Sequence, residues 1–455
     1  MVAEPRVVVV GAGPAGMRAC AALVEAGLRP VLVDEAARPG GRIYQQPPDG
    51  AGRPARELYG LEAAKATRIH ALAPALAGRI DHRAETLAWN CFEDALDLLG
   101  PEGPSRLAFD ALVLATGATD LALPFPGWTL PGAYALGGAQ IALKTQGCAI
   151  GRRVAFLGAG PLLPLVACQY MEAGVDVAAV LDATPFLAKL RGLPRMLFAP
   201  ATLAKGMLYV ARLRRAGVPM FFDVRRPRAE GDGRVERLRF EAGGVEREVA
   251  CDAVGASFGL RSETQLADLA GCRFEFDPRT RQHVPERDAA GRSSRRHVYV
   301  AGDGAGIGGA DAAELAGERA ALALLEDLGL SFDANRAAWL EGRLARLEIF
   351  RRGLEAAYPF PAHMVRDLDD ATMLCRCEGI ATGALREAAT AMGAREVNRA
   401  KAFTRVGMGR CQGRMCGRAA AEVLAEARGA DLSSAGRLRA QPPVKPIPML
   451  PELLS

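Results

Sequence analysis

A glycine fingerprint after the first apolar run constrains the fold of this sequence more than any other feature. Arg6–Val10 is a short β-branched run that leads into three spaced glycines and a helical pattern. A second apolar run, Pro30–Val33, ends in Asp34 and Glu35. Strand, glycine turn, helix, strand and acid in this order predict a βαβ unit that binds a dinucleotide. The acid would accept hydrogen bonds from a ribose, and the spacing favours Asp34 over Glu35.

Each glycine of this first fingerprint has its own physical role. Gly11 permits the tight turn, Gly13 lets backbone N–H groups approach a pyrophosphate, and Gly16 lets the helix pack closely on the strand. Pro14 lies in the same turn, at the helix N-terminus that faces the phosphates. The alternative is an ordinary glycine-rich turn between a strand and a helix.

A second fingerprint begins after the apolar run Val154–Leu157, with Gly158 and Gly160 in its turn and Asp182 after the next apolar run. Leu163 replaces the third glycine, which predicts a helix pushed away from the strand or a reshaped turn. No arginine cluster suited to a 2′-phosphate follows the acid. The sequence leaves NAD(P), another adenine nucleotide or an empty scaffold open at this second site.

Three further motifs accompany the first fingerprint. They are Gly41 and Arg42 after its second strand, Thr116 and Gly117 after an apolar run at 109–115, and Gly302 and Asp303 after a run at 297–301. This set resembles the FAD domain of the two-dinucleotide-domain flavoproteins, the glutathione-reductase and thioredoxin-reductase class. The resemblance implies that Asp303 bonds the ribityl chain of FAD. It also implies that the helix after Gly309 points its positive end at the isoalloxazine ring.

Four of the ten cysteines lie near the C-terminus in two close pairs. Cys375 and Cys377 form a C-x-C pair, and Cys411 and Cys416 form a C-x4-C pair. Two such pairs are typical of a metal centre, and each pair can hold one iron of a [2Fe–2S] cluster. A structural Zn²⁺ on the same thiols is the alternative, although C-x-C spacing is tight for a single ion.

The spacing of these thiols resembles the bacterioferritin-associated-ferredoxin-like (BFD-like) [2Fe–2S] module over residues 371–430, with a wider second pair than is common there. Arg376, Arg410 and Arg414 lie beside the ligands. If they face the cluster, their charge raises its reduction potential, and otherwise they solvate a loop. The remaining cysteines are predicted to be small core residues, none forming the pair of a disulfide reductase: Cys20, Cys91, Cys148, Cys168, Cys251 and Cys272.

Composition argues against several classes of protein. The 57 Lys and Arg against 52 Asp and Glu leave a net charge of +5, too little over 455 residues to indicate nucleic-acid binding. The longest apolar stretch, 154–171, is interrupted by glycine and proline, so no membrane span is expected. Without a recognisable export signal, we expect a reducing, cytoplasmic location, with peripheral contact at the inner face of a membrane left open. The five histidines form no metal-spaced pair, and we assign no catalytic side chain.

The predicted fold class is α/β, with two Rossmann-like dinucleotide-binding domains, the first of them split, and a small α-rich BFD-like [2Fe–2S] domain. The predicted boundaries are 1–125 with 285–330 for the FAD domain, 126–284 for the second nucleotide domain, 331–370 for a helical linker, 371–430 for the [2Fe–2S] domain and 431–455 for a Pro-rich tail. Residues 186–213 show a helical, basic pattern whose charges are most simply a solvated face. The tail is predicted to be an extended or partner-bound strap, with disorder as the alternative.

In this order the motifs resemble one family over nearly the whole chain. The split FAD domain, the second fingerprint ending in Pro-Leu-Leu and the C-terminal cysteines resemble the larger electron-transfer subunit of heteromeric amine and amino-acid dehydrogenases. That family includes the opine oxidase A and hydrogen cyanide synthase B subunits and the α subunit of proline or hydroxyproline dehydrogenases. The resemblance implies a partner FAD subunit of the glycine-oxidase or D-amino-acid-oxidase type, which takes hydride from a carbon bearing nitrogen.

The same resemblance implies that this chain passes those electrons through flavin and cluster to a quinone, cytochrome or dye-like acceptor. A small ferredoxin-like subunit in the complex is left open, as is an FMN between its subunits. Two other functions stay open as well. One is a stand-alone NAD(P)H-dependent reductase that delivers electrons through the cluster. The other is an iron-handling or redox-sensing protein in which the flavin is structural.

Overall fold

The computed structural model describes residues 4–48, 50 and 53–448. In chain order its strands are β1 (Val7–Val10), β2 (Val31–Val33), β3 (Asp81–Arg83), β4 (Leu87–Phe92), β5 (Ala95–Gly100), β6 (Gly103–Ala108), β7 (Ala111–Leu114), β8 (Ala118–Asp120), β9 (Ala133–Ala135), β10 (Arg153–Gly158), β11 (Asp176–Asp182), β12 (Met220–Phe222), β13 (Arg225–Glu230), β14 (Arg237–Ala242), β15 (Val245–Ala250), β16 (Ala253–Ser257), β17 (Leu260–Ser262), β18 (Phe274–Asp277), β19 (Gln282–Pro285), β20 (Val298–Val300), β21 (Met373–Cys375) and β22 (Ile380–Ala381).

The helices connect these strands and dominate the C-terminal third of the chain. They are α1 (Pro14–Glu25), α2 (Ala55–Tyr59), α3 (Ala63–His70), α4 (Leu72–Leu76), α5 (Leu136–Ile141), α6 (Leu162–Glu172), α7 (Phe186–Met196), α8 (Pro200–Arg215), α9 (Gln265–Leu269), α10 (Ala310–Asp327), α11 (Ala334–Ala357), α12 (His363–Arg366), α13 (Thr382–Thr390), α14 (Val397–Thr404), α15 (Gly417–Ala427) and α16 (Leu432–Ala435). Within the described ranges, none of them combines the length and the apolar character needed to cross a bilayer.

The first fingerprint lies in a parallel five-stranded sheet of order β20-β7-β1-β2-β3. Strand β1 consists of four buried valines at the centre of the sheet, as a strand covered on both faces requires. Strand β20 comes from far along the chain, so this domain is split as the sequence predicts. Helices α1 and α10 pack together over one face, and the antiparallel sheet β4-β5-β6 contributes to the core on the other.

The second fingerprint lies in another parallel sheet, of order β12-β11-β10-β16-β9. Strand β10 is central, and its glycine turn follows the carboxyl end of the strand, where open α/β sheets bind their ligands. Helices α7 and α8 form within the segment predicted to be helical and basic. Two parallel sheets, each with a central fingerprint strand, confirm the predicted α/β fold class.

Helix α11 braces the two sheet domains. Asp333 caps it by accepting a hydrogen bond from the backbone N–H of Arg336 at 2.9 Å. The helix packs on α10 on one side and on α7 on the other. A Cβ on Gly192 of α7 would lie 2.2 Å from the carbonyl oxygen of Gly353, so the two backbones approach closely at this point. The segment predicted as a linker therefore packs against both parallel-sheet domains.

The cysteine-bearing C-terminal part shares a hydrophobic core with the second sheet domain. Leu374, Leu385 and Val423 lie in the same buried cluster as Leu157 of β10. The indole N–H of Trp128 donates to the carbonyl oxygen of Met373 at 2.7 Å and fixes the strand that leads to the first cysteine pair. The cysteines therefore have a rigid support.

The chain after α16 lies as a strap across the FAD domain. Arg437 donates to both carboxylate oxygens of Asp268 at 2.6 and 2.8 Å, and the Val444 N–H donates to the carbonyl oxygen of Trp89 at 3.0 Å. Although burial opposes ionisation, Arg437 holds the pKa of Asp268 below its usual value. Up to residue 448 the predicted strap thus binds its own chain, and the rest of the predicted tail lies outside the described residues.

Candidate cofactor sites

The glycines of the first fingerprint are packed tightly where the backbone folds on itself. Gly11 has φ +106°, and a Cβ there would lie 2.3 Å from the carbonyl oxygen of Ala115. A Cβ on Gly16 would lie 1.8 Å from the carbonyl oxygen of Gly11. For Gly13, in contrast, the nearest atom is the Cα of Gly41 at 3.7 Å. The turn is closed on its inner side and open at the glycine whose N–H groups would face a pyrophosphate, so it fits a dinucleotide.

Asp34 and Glu35 have different partners. The Asp34 carboxylate accepts hydrogen bonds from the backbone N–H groups of Ala12 at 2.5 Å and Ala36 at 2.7 Å, and burial raises its pKa. Glu35 forms ion pairs with Arg42, at 2.6 Å, and with Lys445 of the strap. Despite the opposing effect of burial, these two cations lower the pKa of Glu35. Among the described residues no Lys or Arg forms a salt bridge with Asp34, in line with its predicted ribose role.

Asp34 lines a cavity of about 100 Å³ together with Gly11 and Thr116. Gly117 follows with φ +72°, and the Thr116 hydroxyl donates to the carbonyl oxygen of Glu263 at 2.5 Å. Val444 and Lys445 of the strap also line this cavity. A segment near the C-terminus thus forms part of the wall at the adenosine end of the predicted FAD site.

Asp303 lies at the other end of the predicted FAD site. Its carboxylate accepts from the N–H groups of Gly308 at 2.9 Å and Gly309 at 2.8 Å, which orders the loop before α10. Gly302, Asp303 and Ala312 line a cavity of about 700 Å³. That volume lies within the range of cofactor sites, and the N-terminus of α10 lies in its wall, so the residues fit a flavin ring.

The second fingerprint is glycine-rich but its acid is already engaged. Gly158 is tightly packed, with a Cβ position 1.6 Å from the carbonyl oxygen of Ser257, whereas no atom lies within 4 Å of a Cβ on Gly160. Asp182 ends β11 and is buried, where it accepts from the N–H of Thr184 at 2.9 Å and from the ammonium of Lys189 at 2.6 Å. An NAD(P) ribose would have to compete with this buried ion pair.

Leu163 changes how the second helix starts. Helix α6 begins two residues after Gly160, whereas α1 begins directly after Gly13. The Leu163 side chain is buried in the core beside Val154 and Phe156. The turn is therefore reshaped, as predicted, and whether it binds a nucleotide stays a prediction.

The four C-terminal cysteines come together from the two sequence motifs. Each of Cys377 and Cys416 interacts electrostatically with thiols of both motifs, so the four sulfurs form one group. The chain turns at residues 376–379 directly after Cys375, and which two thiols hold each iron stays a prediction. In the described part of the chain, no three potential ligands surround a single point.

Backbone N–H groups surround the first thiol. With the Cys416 thiol, the N–H groups of Gly407, Glu378 and Cys377 lower the pKa of Cys375 to about 5. Burial raises the pKa of Cys377, and hydrogen bonding to Cys375 raises that of Cys416. Amide dipoles directed at a sulfur stabilise thiolate charge, so these residues fit an iron–sulfur cluster.

The other cysteines lie apart from this centre. Five of them are buried, and burial raises the pKa of Cys20 to about 12, as expected for inert core thiols. Cys148 is exposed, so the prediction that it belongs to the core is wrong. It lies just after the left-handed Gly147, where the chain leaves a helical turn at the surface.

The arginines beside the cysteines do not share one orientation. Arg376 stacks over the ring of Trp128 at 5.6 Å from its centroid, and Arg410 is exposed. Arg414 donates to the carbonyl oxygen of Cys411 at 3.3 Å and lines the Asp34 cavity. Sequence reasoning missed Arg261 of β17, whose side chain is 17% exposed and forms an ion pair with Glu263 at 3.3 Å. Its charge also interacts with Cys411 and Cys416. No spacing signal links it to cysteines 150 positions away.

We expect Arg261→Gln to lower the reduction potential of the cluster by roughly 60 mV, equivalent to about 1.4 kcal/mol for one electron. The reason is that a positive charge near the sulfurs favours the more negative, reduced form. The measurement is a redox titration followed by electron paramagnetic resonance. Arg410→Gln is the matched control, since it removes an exposed charge from the same loop. Equal shifts in the two variants would contradict the special position of Arg261.

We use the term cysteine loop for residues 411–417, which lie next to the two cofactor cavities. Gln412, Gly413 and Gly417 line a small cavity of about 120 Å³ together with Ser262 and Phe276, and the last two also line the 700 Å³ cavity at Asp303. Among the described residues, several buried polar atoms without a protein partner lie around this loop, namely Arg261 Nε, Ser262 Oγ, Glu263 Oε1, Gln265 Oε1 and Arg418 Nε. Such atoms indicate that a polar group absent from the polypeptide belongs here.

Two family models match this chain, one over the part with the two parallel sheets and one over the part with the four cysteines. Residues 5–320 match the pyridine nucleotide-disulphide oxidoreductase model, and residues 373–426 match the BFD-like [2Fe-2S] binding domain. The opine oxidase A subunit of Agrobacterium tumefaciens is 37% identical over 96% of this chain and 89% of its own length. Hydrogen cyanide synthase subunit HcnB of Pseudomonas aeruginosa is 34% identical over 97% of both chains.

Solved structures share the fold at lower identity. L-proline dehydrogenase from P. horikoshii superposes with a TM-score of 0.74 at 20% identity, over 99% of this chain and 79% of that one. T. acidophilum thioredoxin reductase superposes with a TM-score of 0.52 at 20% identity, over 71% of this chain and 98% of that one. The first similarity extends through the cysteine-bearing part, whereas the second covers a smaller share of the chain.

Proposed function

The chain belongs to the pyridine nucleotide-disulphide oxidoreductase family, in the group that contains the opine oxidase A and hydrogen cyanide synthase B subunits, and from this membership we propose that it is the electron-transfer subunit of a heteromeric dehydrogenase. The proposed complex oxidises an amino acid, an opine or a related secondary amine. Family membership makes the chain an FAD-dependent oxidoreductase with a BFD-like [2Fe–2S] domain.

The residues that hold the two cofactors follow from the site geometry. Bound FAD exchanges electrons in pairs or singly, whereas a [2Fe–2S] cluster exchanges one at a time. Gly13 would present N–H groups to the pyrophosphate, Asp34 would accept from the ribose, and Asp303 would hold the ribityl chain. The N-terminus of α10 would stabilise negative charge at the flavin end.

The position of the cysteine loop is the observation that carries this proposal. The loop lines the 120 Å³ cavity, whose wall also contains Ser262 and Phe276 of the large cavity at Asp303, and Arg414 of the loop lines the Asp34 cavity. A protein that converts two-electron chemistry into single-electron transfer needs its isoalloxazine ring and its cluster close to each other. Ser262 and Phe276 form a wall shared by the two cavities.

We infer that electrons enter from a second subunit, of the glycine-oxidase or D-amino-acid-oxidase type, that oxidises the substrate. The acceptor would be a quinone or cytochrome, which places the complex in the cytoplasm or at the inner face of a membrane. An FMN at the contact between subunits is a compatible addition, and so is a small ferredoxin-like subunit. The relatives support this inference, because their names describe subunits of larger oxidases and synthases.

A stand-alone NAD(P)H-dependent reductase is the second candidate. The open face of Gly160 favours it, because a pyrophosphate could approach there. The engaged Asp182 argues against it, since the ion pair with Lys189 occupies the carboxylate that would hold a ribose. The two candidates differ in what reduces the flavin.

An anaerobic reduction experiment separates the candidates. The chain purified with FAD and cluster is mixed with NADH or NADPH, and then with amino acids or opines in the presence of its co-expressed partner. We expect loss of the flavin absorbance within seconds only in the second mixture. Fast reduction by NADH alone would instead establish the reductase. Absence of reduction and of artificial-acceptor turnover in every combination would favour an iron-handling or redox-sensing role.

A further inference from the structure

Helices α7 and α8 expose large apolar side chains at the surface. We use the term hairpin surface for Phe186, Leu187, Leu190, Leu197, Phe198 and Met207. Leu187 is 68% exposed, Phe198 60% and Met207 64%, although side chains of this kind normally form the core. Leu197 and Phe198 lie in the turn between the helices, at one end of the hairpin. Exposed apolar groups concentrated in this way mark an interaction site.

Helix α7 buries its small residues and exposes its large apolar side chains, the reverse of an ordinary surface helix. Its buried residues are the small Ala188 and Gly192, and Gly192 makes the close approach to Gly353 of α11. Because only small residues fit against α11, the large apolar residues of α7 point away from the protein. An ordinary surface helix has its large apolar side chains inside and its charges outside.

Positive charge accompanies this apolar surface. Between Ala183 and Phe222 the sequence has seven Lys and Arg and no Asp or Glu, whereas the whole chain has a net charge of only +5. Three of the seven form salt bridges with acids outside this segment, namely Lys189, Lys205 and Arg212. Arg191 and Arg195 are exposed on α7 among the apolar side chains. The hairpin is therefore a local concentration of cationic and apolar groups on a chain that is otherwise close to neutral.

We propose that the hairpin surface binds an anionic lipid bilayer. Leu197 and Phe198 enter the boundary between headgroups and acyl chains, while Arg191 and Arg195 extend their charged ends to the headgroups. The observations favour an anionic lipid surface because every charged side chain between Ala183 and Phe222 is cationic, which complements the phosphates of the headgroups. Apart from its basic residues, the hairpin offers few exposed polar groups beyond Thr202, and a bilayer needs none.

This proposal goes beyond the proposed function and suits it, since quinones dissolve in the bilayer. Its test measures lipid binding alone, so failure of one proposal leaves the other standing. The full chain with its cofactors is sedimented with vesicles of equal parts phosphatidylcholine and phosphatidylglycerol, and with vesicles of phosphatidylcholine only. We expect binding to the anionic vesicles that weakens as salt is added.

Vesicle binding by two matched variants tests the proposal. Leu197→Ser with Phe198→Ser should weaken vesicle binding at least about tenfold, because two apolar side chains no longer leave water. Phe92→Ser, at an equally exposed residue in another part of the chain, should bind like the unchanged protein. Circular dichroism and FAD content verify that each variant is folded.

Three results would overturn the proposal. The first is no binding of the unchanged chain to anionic vesicles at low salt. The second is equal binding by the double variant and the parent protein. The third is unaltered vesicle binding together with loss of a dimer or of partner assembly in the double variant, as measured by size-exclusion chromatography, which would make the hairpin surface a protein interface.

Discussion

Serine in place of Cys377 should remove the [2Fe–2S] cluster while FAD stays bound. Cys377 is one of the four predicted sulfur ligands, so its loss leaves one iron without a complete set of them. We expect iron content to fall to near zero and the visible bands of the cluster to disappear. The flavin bands and the FAD content should persist, because the first fingerprint lies in a separate sheet domain.

Cys148→Ser is the control for this variant, since it removes an exposed thiol outside the cysteine centre. It should retain full iron content and the unchanged spectrum. If the parent protein purified without oxygen held one zinc ion and no iron, the cluster assignment would be wrong. Retention of the complete cluster in C377S would show that a different ligand replaces Cys377.

Alanine in place of Gly16 should prevent FAD binding and destabilise the first sheet domain by at least about 3 kcal/mol. The added Cβ would lie 1.8 Å from the carbonyl oxygen of Gly11, which is backbone and cannot rotate away. Relief requires α1 to move off β1, and that movement carries the helix N-terminus away from the phosphates. The measurements are FAD content after purification and the midpoint of thermal unfolding.

Gly342→Ala is the matched control, because this glycine lies in the interior of α11 with no atom within 4 Å of the added Cβ. It should stabilise the protein by about 0.5–1 kcal/mol, since alanine loses less backbone entropy in a helix. Normal FAD content in G16A would falsify the assignment of the first fingerprint. A similar loss in both variants would point to general intolerance of substitution.

The local features of both fingerprints were predictable from the sequence. Short continuous apolar runs predict β1 and β2, a 3.6-residue period predicts α1, and the glycine spacing predicts the turn between β1 and α1. The structure places Gly11 and Gly16 where a side chain cannot fit, for the reasons given by the spacing. The split of the first domain was also predictable, because Gly302 and Asp303 follow a strand far along the chain.

Other features depend on residues distant in sequence and could not be predicted in this way. Arg261 reaches the cysteine loop from β17, and Asp182 is engaged by Lys189 of the following helix. The thiols of the two motifs, more than 30 positions apart in the chain, lie close enough to interact electrostatically. Each of these contacts depends on how helices, strands and loops pack against one another, and no local sequence pattern predicts that packing.

The sequence by itself therefore predicts the two βαβ fingerprints, the two cysteine pairs and their order along the chain. Strands, turns and close ligand pairs depend on residues that are neighbours in the sequence. Tertiary structure alone decided which groups face each other. It brought the strap to the wall of the Asp34 cavity, set the cysteine loop next to the two cavities and turned the large side chains of α7 outward. The physical reason is that burial and charge pairing depend on distance in space, which separation along the chain does not specify.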